Sequence, residues 1–193
     1  MAVTITNNSA VFNEGKNLLI ILNDANASLT HKHEEEDFVL LFSNQKLIGI
    51  NVFDFQKYFK AEPGFHLVNS EIKKFFLKHF NDLVKPEDFQ SFFQIGQIIQ
   101  IDDHSESAKL KVLTVKFKKQ TLQIITNVMD LKLNNHYLFA LDGAILANGT
   151  KIKKTKVLKI ASAGMIVSYQ AIGINQEGLV DCSDYDLDQE FKF

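Results

Sequence analysis

The densest chemistry in the chain lies between Gly143 and Ser168, GAILANGTKIKKTKVLKIASAGMIVS. Lys151, Lys153, Lys154, Lys156 and Lys159 place five ammonium groups within nine positions, framed by Gly-Ala and Asn-Gly turns and a Ser-Ala-Gly-Met corner. Side chains of a strand alternate between its faces. A strand over 151–160 would therefore turn its lysines to solvent and Ile152, Val157 and Ile160 to a core. Such a face suits a phosphate backbone, because each neutralised phosphate releases counterions. The bland reading is an ordinary solvated strand face, and the distribution of charge argues against it. Residues 92–174 hold 11 lysines against 5 carboxylates, a net of +6, whereas residues 1–91 carry −3 and residues 175–193 carry −5. The positive field belongs to the middle of the chain alone.

All 21 basic residues are lysine. Phosphates would thus meet point charges and not bidentate guanidinium forks, and affinity should depend strongly on salt. His31-Lys32-His33-Glu34-Glu35-Glu36 has metal-ligand residue types, but with charges throughout and no further partner it reads as a hydrated loop. His104 falls at a turn and reads as structural. No Ser-His-Asp arrangement, P-loop, dinucleotide fingerprint or spaced carboxylate pair is present, so neither an enzyme nor a cofactor or metal is expected. The single cysteine, Cys182, cannot pair within the chain and suggests a reducing compartment. The first residues lack the basic start and apolar stretch of a signal peptide. The uncharged stretch from Ile160 to Ile174 falls short of the ~20 apolar residues a bilayer requires. A soluble, cytoplasmic protein without a membrane partner is the expectation.

Elements able to position the lysines follow from hydrophobic period and turn chemistry. Leu18–Leu22, Phe38–Phe42 and Leu47–Phe53 read as strands, with a turn at Ser43-Asn44-Gln45. Ile72, Phe75, Phe76, Phe80, Leu83 and Val84 recur at helical spacing, predicting a helix from about 70 to 84 that ends before Pro86. From Gln94 onward the pattern becomes short strands: Ile95–Ile101, Leu110–Phe117, Thr121–Asn127, His136–Leu141 and Lys151–Ile160. This layout predicts an α+β domain over 1–91, an all-β OB-fold barrel over 92–174, and an acidic C-terminal tail over 175–193.

Several of these segments resemble a known family. Phe93-Gln94-Ile95-Gly96-Gln97-Ile98, His104-Ser105-Glu106-Ser107-Ala108-Lys109-Leu110, Leu122-Gln123-Ile124-Ile125 and Ser162-Ala163-Gly164-Met165 together resemble the tRNA-binding OB module of aminoacyl-tRNA synthetase appendages. Upstream, Val11-Phe12-Asn13-Glu14-Gly15 and Ile48-Gly49-Ile50-Asn51-Val52-Phe53 are similar to the N-terminal domain of YtpR-type proteins, which join that domain to this module. The resemblance implies tRNA as the partner, and it allows an aminoacyl-tRNA synthetase and a second copy of the chain as further partners. By the same resemblance Lys109 matches the lysine of the family's His-Pro-x-Ala-Asp-Lys-Leu segment, while Ser162, Gly164 and Met165 match its Ser-x-Gly-Met corner. These residues then join the five lysines as an RNA groove: Ser162 as a donor, Gly164 as a point of close backbone approach, Met165 as a soft surface for a base.

The chain departs from the family at Ser105 and Ala108, where Pro and Asp are usual. It departs again at Asp130, in place of an amide, and at Leu158-Lys159, in place of Arg-Gly. Asp130 and the missing arginine each weaken a phosphate contact, by about 1 kcal/mol if exposed. The leading expectation is a non-catalytic tRNA-binding protein. The alternative is a protein-interaction or scaffold module with degraded RNA affinity, docking on a synthetase or a translation-associated partner.

Overall fold

The computed structural model describes residues 2–6, 18–22, 26–60, 64–68, 70–89, 91–187, 189 and 191. The motif Val11–Gly15 lies outside them. The chain divides into two compact units, Met1–Ser91 and Phe92–Phe193, and the fold is mostly β with one short helix.

In the first unit six strands, β1 (Ala2–Thr6), β2 (Leu18–Leu22), β3 (His31–Glu35), β4 (Phe38–Ser43), β5 (Lys46–Phe53) and β6 (Gly64–Leu67), form an antiparallel sheet in the order β3-β4-β5-β2-β1-β6. Strand β4 shows the expected alternation, burying Phe38, Leu40 and Phe42. Helix α1 (Ser70–His79) buries Ile72 and Phe76, four residues apart on one face. It stops five residues short of the predicted end, ahead of Asn81-Asp82, two residue types of low helix propensity. The chain nevertheless keeps coiling, with Phe80 N–H bonded to Phe76 O and Val84 N–H to Phe80 O, so Phe80 and Val84 still reach the core. Phe38 and Phe80 meet edge to face at 5.4 Å, one contact in a phenylalanine-rich interior. The buried Asp37 carboxylate accepts from Lys57 Nζ at 2.8 Å and Tyr58 Oη at 2.9 Å, and the bond from Asp37 raises the Lys57 pKa.

The segment His31–Glu35 is an edge strand and not the expected loop. Its cross-strand bonds to β4 hold it extended, while Lys32–Glu34 and His33–Glu35 pair along its exposed faces. Charge on an edge strand discourages pairing with other chains.

The second unit contains β7 (Phe93–His104), β8 (Ser107–Lys116), β9 (Thr121–Thr126), β10 (His136–Leu141), β11 (Thr155–Val157), β12 (Ile160–Ser162) and β13 (Gly164–Ile166). Five of these form a sheet in the order β13-β10-β7-β8-β9. The two ends of that sheet meet: Ala163 N–H bonds Gln123 O at 3.0 Å, and Ile125 N–H bonds Ser162 Oγ at 3.0 Å. Meander, crossover order and closure make an OB-like β domain. Its interior is filled by Ile98, Leu113, Val115, Phe117, Ile124 and Phe139. At Gly96 a Cβ would lie 2.5 Å from Val115 Cγ1 and 2.7 Å from Phe117 Cε1, so only glycine fits.

Residues 178–185 do not behave as a tail. Leu138 N–H bonds Val180 O, Cys182 N–H bonds His136 O, and Val180 N–H bonds Val167 O, laying this stretch against β10 with Val180 and Cys182 buried. Apolar side chains between the acids supply the anchor, a pattern that net charge alone hides. Burial pushes the Cys182 thiol up to about 12, with the charge of Asp181 adding to the shift. Among the described residues no helix is long and apolar enough to cross a membrane.

Candidate nucleic-acid interface

The lysine run is not one strand. Lys151 makes only an isolated bridge to Ile145, the chain then passes to β11, and β11 pairs with β12 as a tight hairpin in which Val157 faces Ile160. The two turn residues, Leu158 and Lys159, have φ of 43° and 71°. Positive φ at both central positions is the signature of a type I′ hairpin, whose twist matches that of its strands. Glycine or asparagine usually signals this turn; Leu158-Lys159 does not, and the break was therefore invisible to pattern reading. Alternation holds locally: Ile152 is buried while Lys151 and Lys153 are exposed, and Val157 and Ile160 are half-buried.

Lys153, Lys154 and Lys156 are also exposed. Among the described residues none of Lys109, Lys151, Lys153, Lys154 and Lys156 forms an ion pair. The Lys154 backbone is held by its N–H bond to Asp142 Oδ1 at 3.2 Å. Lys159 is different, because its ammonium lies 3.1 Å from Glu106 Oε1.

Glu106 belongs to the β7–β8 turn, which also carries the key to the site. His104 is 4 % exposed. Its Nε2–H donates to Val157 O at 3.2 Å, and its Nδ1 accepts from Glu106 N–H at 3.2 Å. One imidazole thus fixes the turn of one hairpin to the strand of another, in the Nε2–H tautomer that these partners require. Lys109, exposed on β8 just past that turn, is carried by the same braced unit.

The Ser-Ala-Gly-Met corner faces inward more than expected. Ser162 is 4 % exposed and its hydroxyl is committed twice, accepting from Ile125 N–H and donating to Gly164 O at 2.9 Å. Both bonds are made within the fold and close the barrel seam. Gly164 does permit a close approach, but to the protein itself: a Cβ there would lie 2.3 Å from Ala140 O. Met165, half-buried, pairs with Ala140 across β13 and β10. Asp130 and Leu158 are both exposed, Leu158 at 48 %.

Beside the hairpin lies a depression of about 440 Å³ lined by Gln123, Lys154, Thr155, Lys156, Ala161, Ser162 and Ala163. Gln123 and Thr155 were not singled out from sequence. Gln123 lies in a stretch with family resemblance, but only the fold shows that its Nε2 donates to Ala161 O at 2.6 Å and ties β9 to the hairpin. Among the described residues no group of His, Cys, Asp or Glu could hold a metal ion.

The second unit is thus an OB-like β domain with exposed lysines on and beside its β11–β12 hairpin. Residues 93–186, most of the second unit, match the family described as "Putative tRNA binding domain". Over nearly the whole chain the protein is similar to the "Putative tRNA-binding protein YtpR" of Bacillus subtilis (strain 168), 25 % identical over 93 % of this chain and 95 % of that one. The resemblance to YtpR-type proteins therefore extends to the first unit. The second unit is also similar to the phenylalanine–tRNA ligase beta subunits of Clostridium acetobutylicum, 36 % identical over 42 % of this chain, and Fusobacterium nucleatum, 38 % identical over 43 %. The chain spans only 10 % of the length of either ligase subunit. A solved structure, the MetRS related protein from Pyrococcus horikoshii, covers 49 % of this chain and 84 % of its own at 15 % identity, with a TM-score of 0.36.

Proposed function

We propose that this chain is a non-catalytic tRNA-binding protein of the cytoplasm, an α+β domain joined to an OB barrel, which grips folded tRNA through phosphates and shape. One observation carries the reading: the β11–β12 hairpin and the segment leading into it present four exposed lysines, Lys151, Lys153, Lys154 and Lys156, which form no ion pair among the described residues, on a support braced by buried His104. Lys109 adds charge from the adjoining hairpin, and Lys159 adds more once a phosphate competes with Glu106. Ammonium groups of this kind neutralise phosphates without reading bases. Met165 supplies half-buried contact surface, while Ser162 and Gly164 act by holding the barrel seam in shape.

Filter binding of total tRNA across a salt series tests this directly. If four to six phosphates are neutralised, log K should fall against log salt with a slope of about −3 to −5. A flat response would remove the electrostatic basis of the reading.

The second reading, an interaction module docking on a synthetase or another translation-associated partner, draws on Asp130 and Leu158. A carboxylate and an apolar side chain stand exposed where the family resemblance implies an amide and an arginine. Recovery of such a partner by a chain that fails to bind tRNA would favour it.

A further inference from the structure

The depression beside the hairpin is more than a gap between lysines. Its walls are small and apolar at Ala161 and Ala163, and the stems of Lys154 and Lys156 complete the lining. At about 440 Å³ it falls in the size range of small-ligand sites, about 300–1,000 Å³. Two polar groups break the apolar lining. Gln123 spends its Nε2 on Ala161 O, which leaves Oε1 to accept, and Thr155 brings an exposed hydroxyl able to donate or accept. A surface meant only for a continuous phosphate backbone requires no such recess.

We infer that this groove receives a single unstacked nucleobase of a structured RNA, with Lys154 and Lys156 meeting the phosphates on either side of it. The charge argues for the occupant: an apolar recess flanked by exposed ammonium groups that form no ion pair among the described residues matches an aromatic ring carried on a polyanion. An apolar peptide would leave the two lysines desolvated without compensation. The edge of the base would meet Gln123 Oε1 and the Thr155 hydroxyl, giving a modest preference among bases in an interface otherwise blind to sequence. The groove is preformed, since the bonds of Gln123 to Ala161, of Ala163 to Gln123 and of Ser162 to Ile125 all fix its floor. The inference rests on the tRNA-binding reading and adds a subsite to it.

The test compares a blunt RNA duplex of about 20 base pairs with the same duplex carrying one bulged nucleotide, each titrated with the full chain over a salt series. The bulged duplex should bind about five-fold tighter or more. Ala161→Leu fills the recess from an exposed position, and Thr155→Val removes the hydroxyl with little change of shape. Each should bring the two duplexes closer in affinity without altering the salt slope or the melting temperature. Should Ala161→Leu disturb folding, Thr155→Val decides alone. If both duplexes bind equally well with a steep salt dependence, the base subsite is wrong and the phosphate reading stands. Preference for the bulge surviving in both variants overturns the subsite as well. So does dissociation of a dimer of this chain by Ala161→Leu with bulge preference intact, which would make the recess a self-association surface. Absence of salt-dependent binding to tRNA and to both duplexes overturns the tRNA-binding reading, and the subsite with it.

Discussion

His104 Nε2 and the backbone oxygen of Val157 meet at 3.2 Å across 53 residues of chain. The bond joins the β7–β8 turn to the lysine hairpin, so the placement of the lysines depends on a residue that would touch no phosphate. Replacing His104 by alanine leaves the Val157 carbonyl and the Glu106 amide without this partner, at a cost of about 1–3 kcal/mol. Urea denaturation should show that loss, and tRNA affinity should fall although no charge on the surface has changed. Unaltered stability would mean that the imidazole is not a brace.

The lysines themselves should behave in the opposite way. Lys153, Lys154 and Lys156 are exposed and make no ion pairs among the described residues. Changing all three to alanine should move stability by no more than about 0.5 kcal/mol per site, while tRNA affinity drops and the salt slope becomes shallower by about two to three. Parallel loss of stability and binding would return these lysines to the role of an ordinary solvated face.

At the barrel seam, Gly164→Ala and Ser162→Ala should act on folding first. The added methyl would sit 2.3 Å from Ala140 O, an overpacked contact costing about 1–3 kcal/mol. Loss of the Ser162 hydroxyl leaves Ile125 N–H unsatisfied, with a cost of similar size. Thermal melting should fall in both variants, and the fraction that remains folded should bind tRNA nearly as the parent does. Weak binding by fully folded protein would restore these residues to the contact surface.

Two departures from the family pattern lie exposed, Asp130 and Leu158. Asp130→Asn removes a repulsive charge, and Leu158→Arg adds a cation at a position already held at φ 43°. Each change should tighten binding by about 0.5 to 1.5 kcal/mol at low salt, so the double variant should gain about five-fold or more in a filter-binding titration. No gain, combined with no binding by the parent chain, would favour the interaction-module reading.

Alkaline stability provides a separate test of the C-terminal stretch. In the fold the Cys182 thiol is pushed from an ordinary 9.0 up to about 12 by burial. Its folded pKa is therefore raised, and its contribution is fully present below pH 9 and lost as pH rises toward 12, because only the unfolded chain can release the proton in that window. Cys182→Ala should flatten the decline of stability with pH over this range. Rapid labelling of the native thiol by a disulfide reagent at neutral pH would show that residues 178–185 are not docked on β10.

Much of the second unit was legible because its signals are local. Alternating apolar residues place β7 to β10 within a few positions of their expected bounds, and the contrast between buried Ile152 and exposed Lys153 follows from the period of a strand. The phenylalanine spacing likewise announced α1, whose last turn was lost to Asn81-Asp82. Charge counting located the lysines, since an ammonium group is costly to bury wherever the chain runs.

Tertiary structure decided which way the polar residues face. Ser162 could have met a phosphate; instead it finds Ile125 N–H 37 residues away, because closing the barrel would otherwise leave that amide buried and unpaired. Gly164 is set against Ala140, His104 against Val157 and Gln123 against Ala161, and each of these pairings arises where distant segments meet. The hairpin at Leu158-Lys159 has the same origin: the pairing of β11 with β12 holds two residues of low turn preference at positive φ. Residue types along the chain thus determined a lysine-rich β module and its family resemblance. Long-range closure, which imposes hydrogen-bond partners that no local pattern contains, divided those residues between the binding face and the wall that supports it.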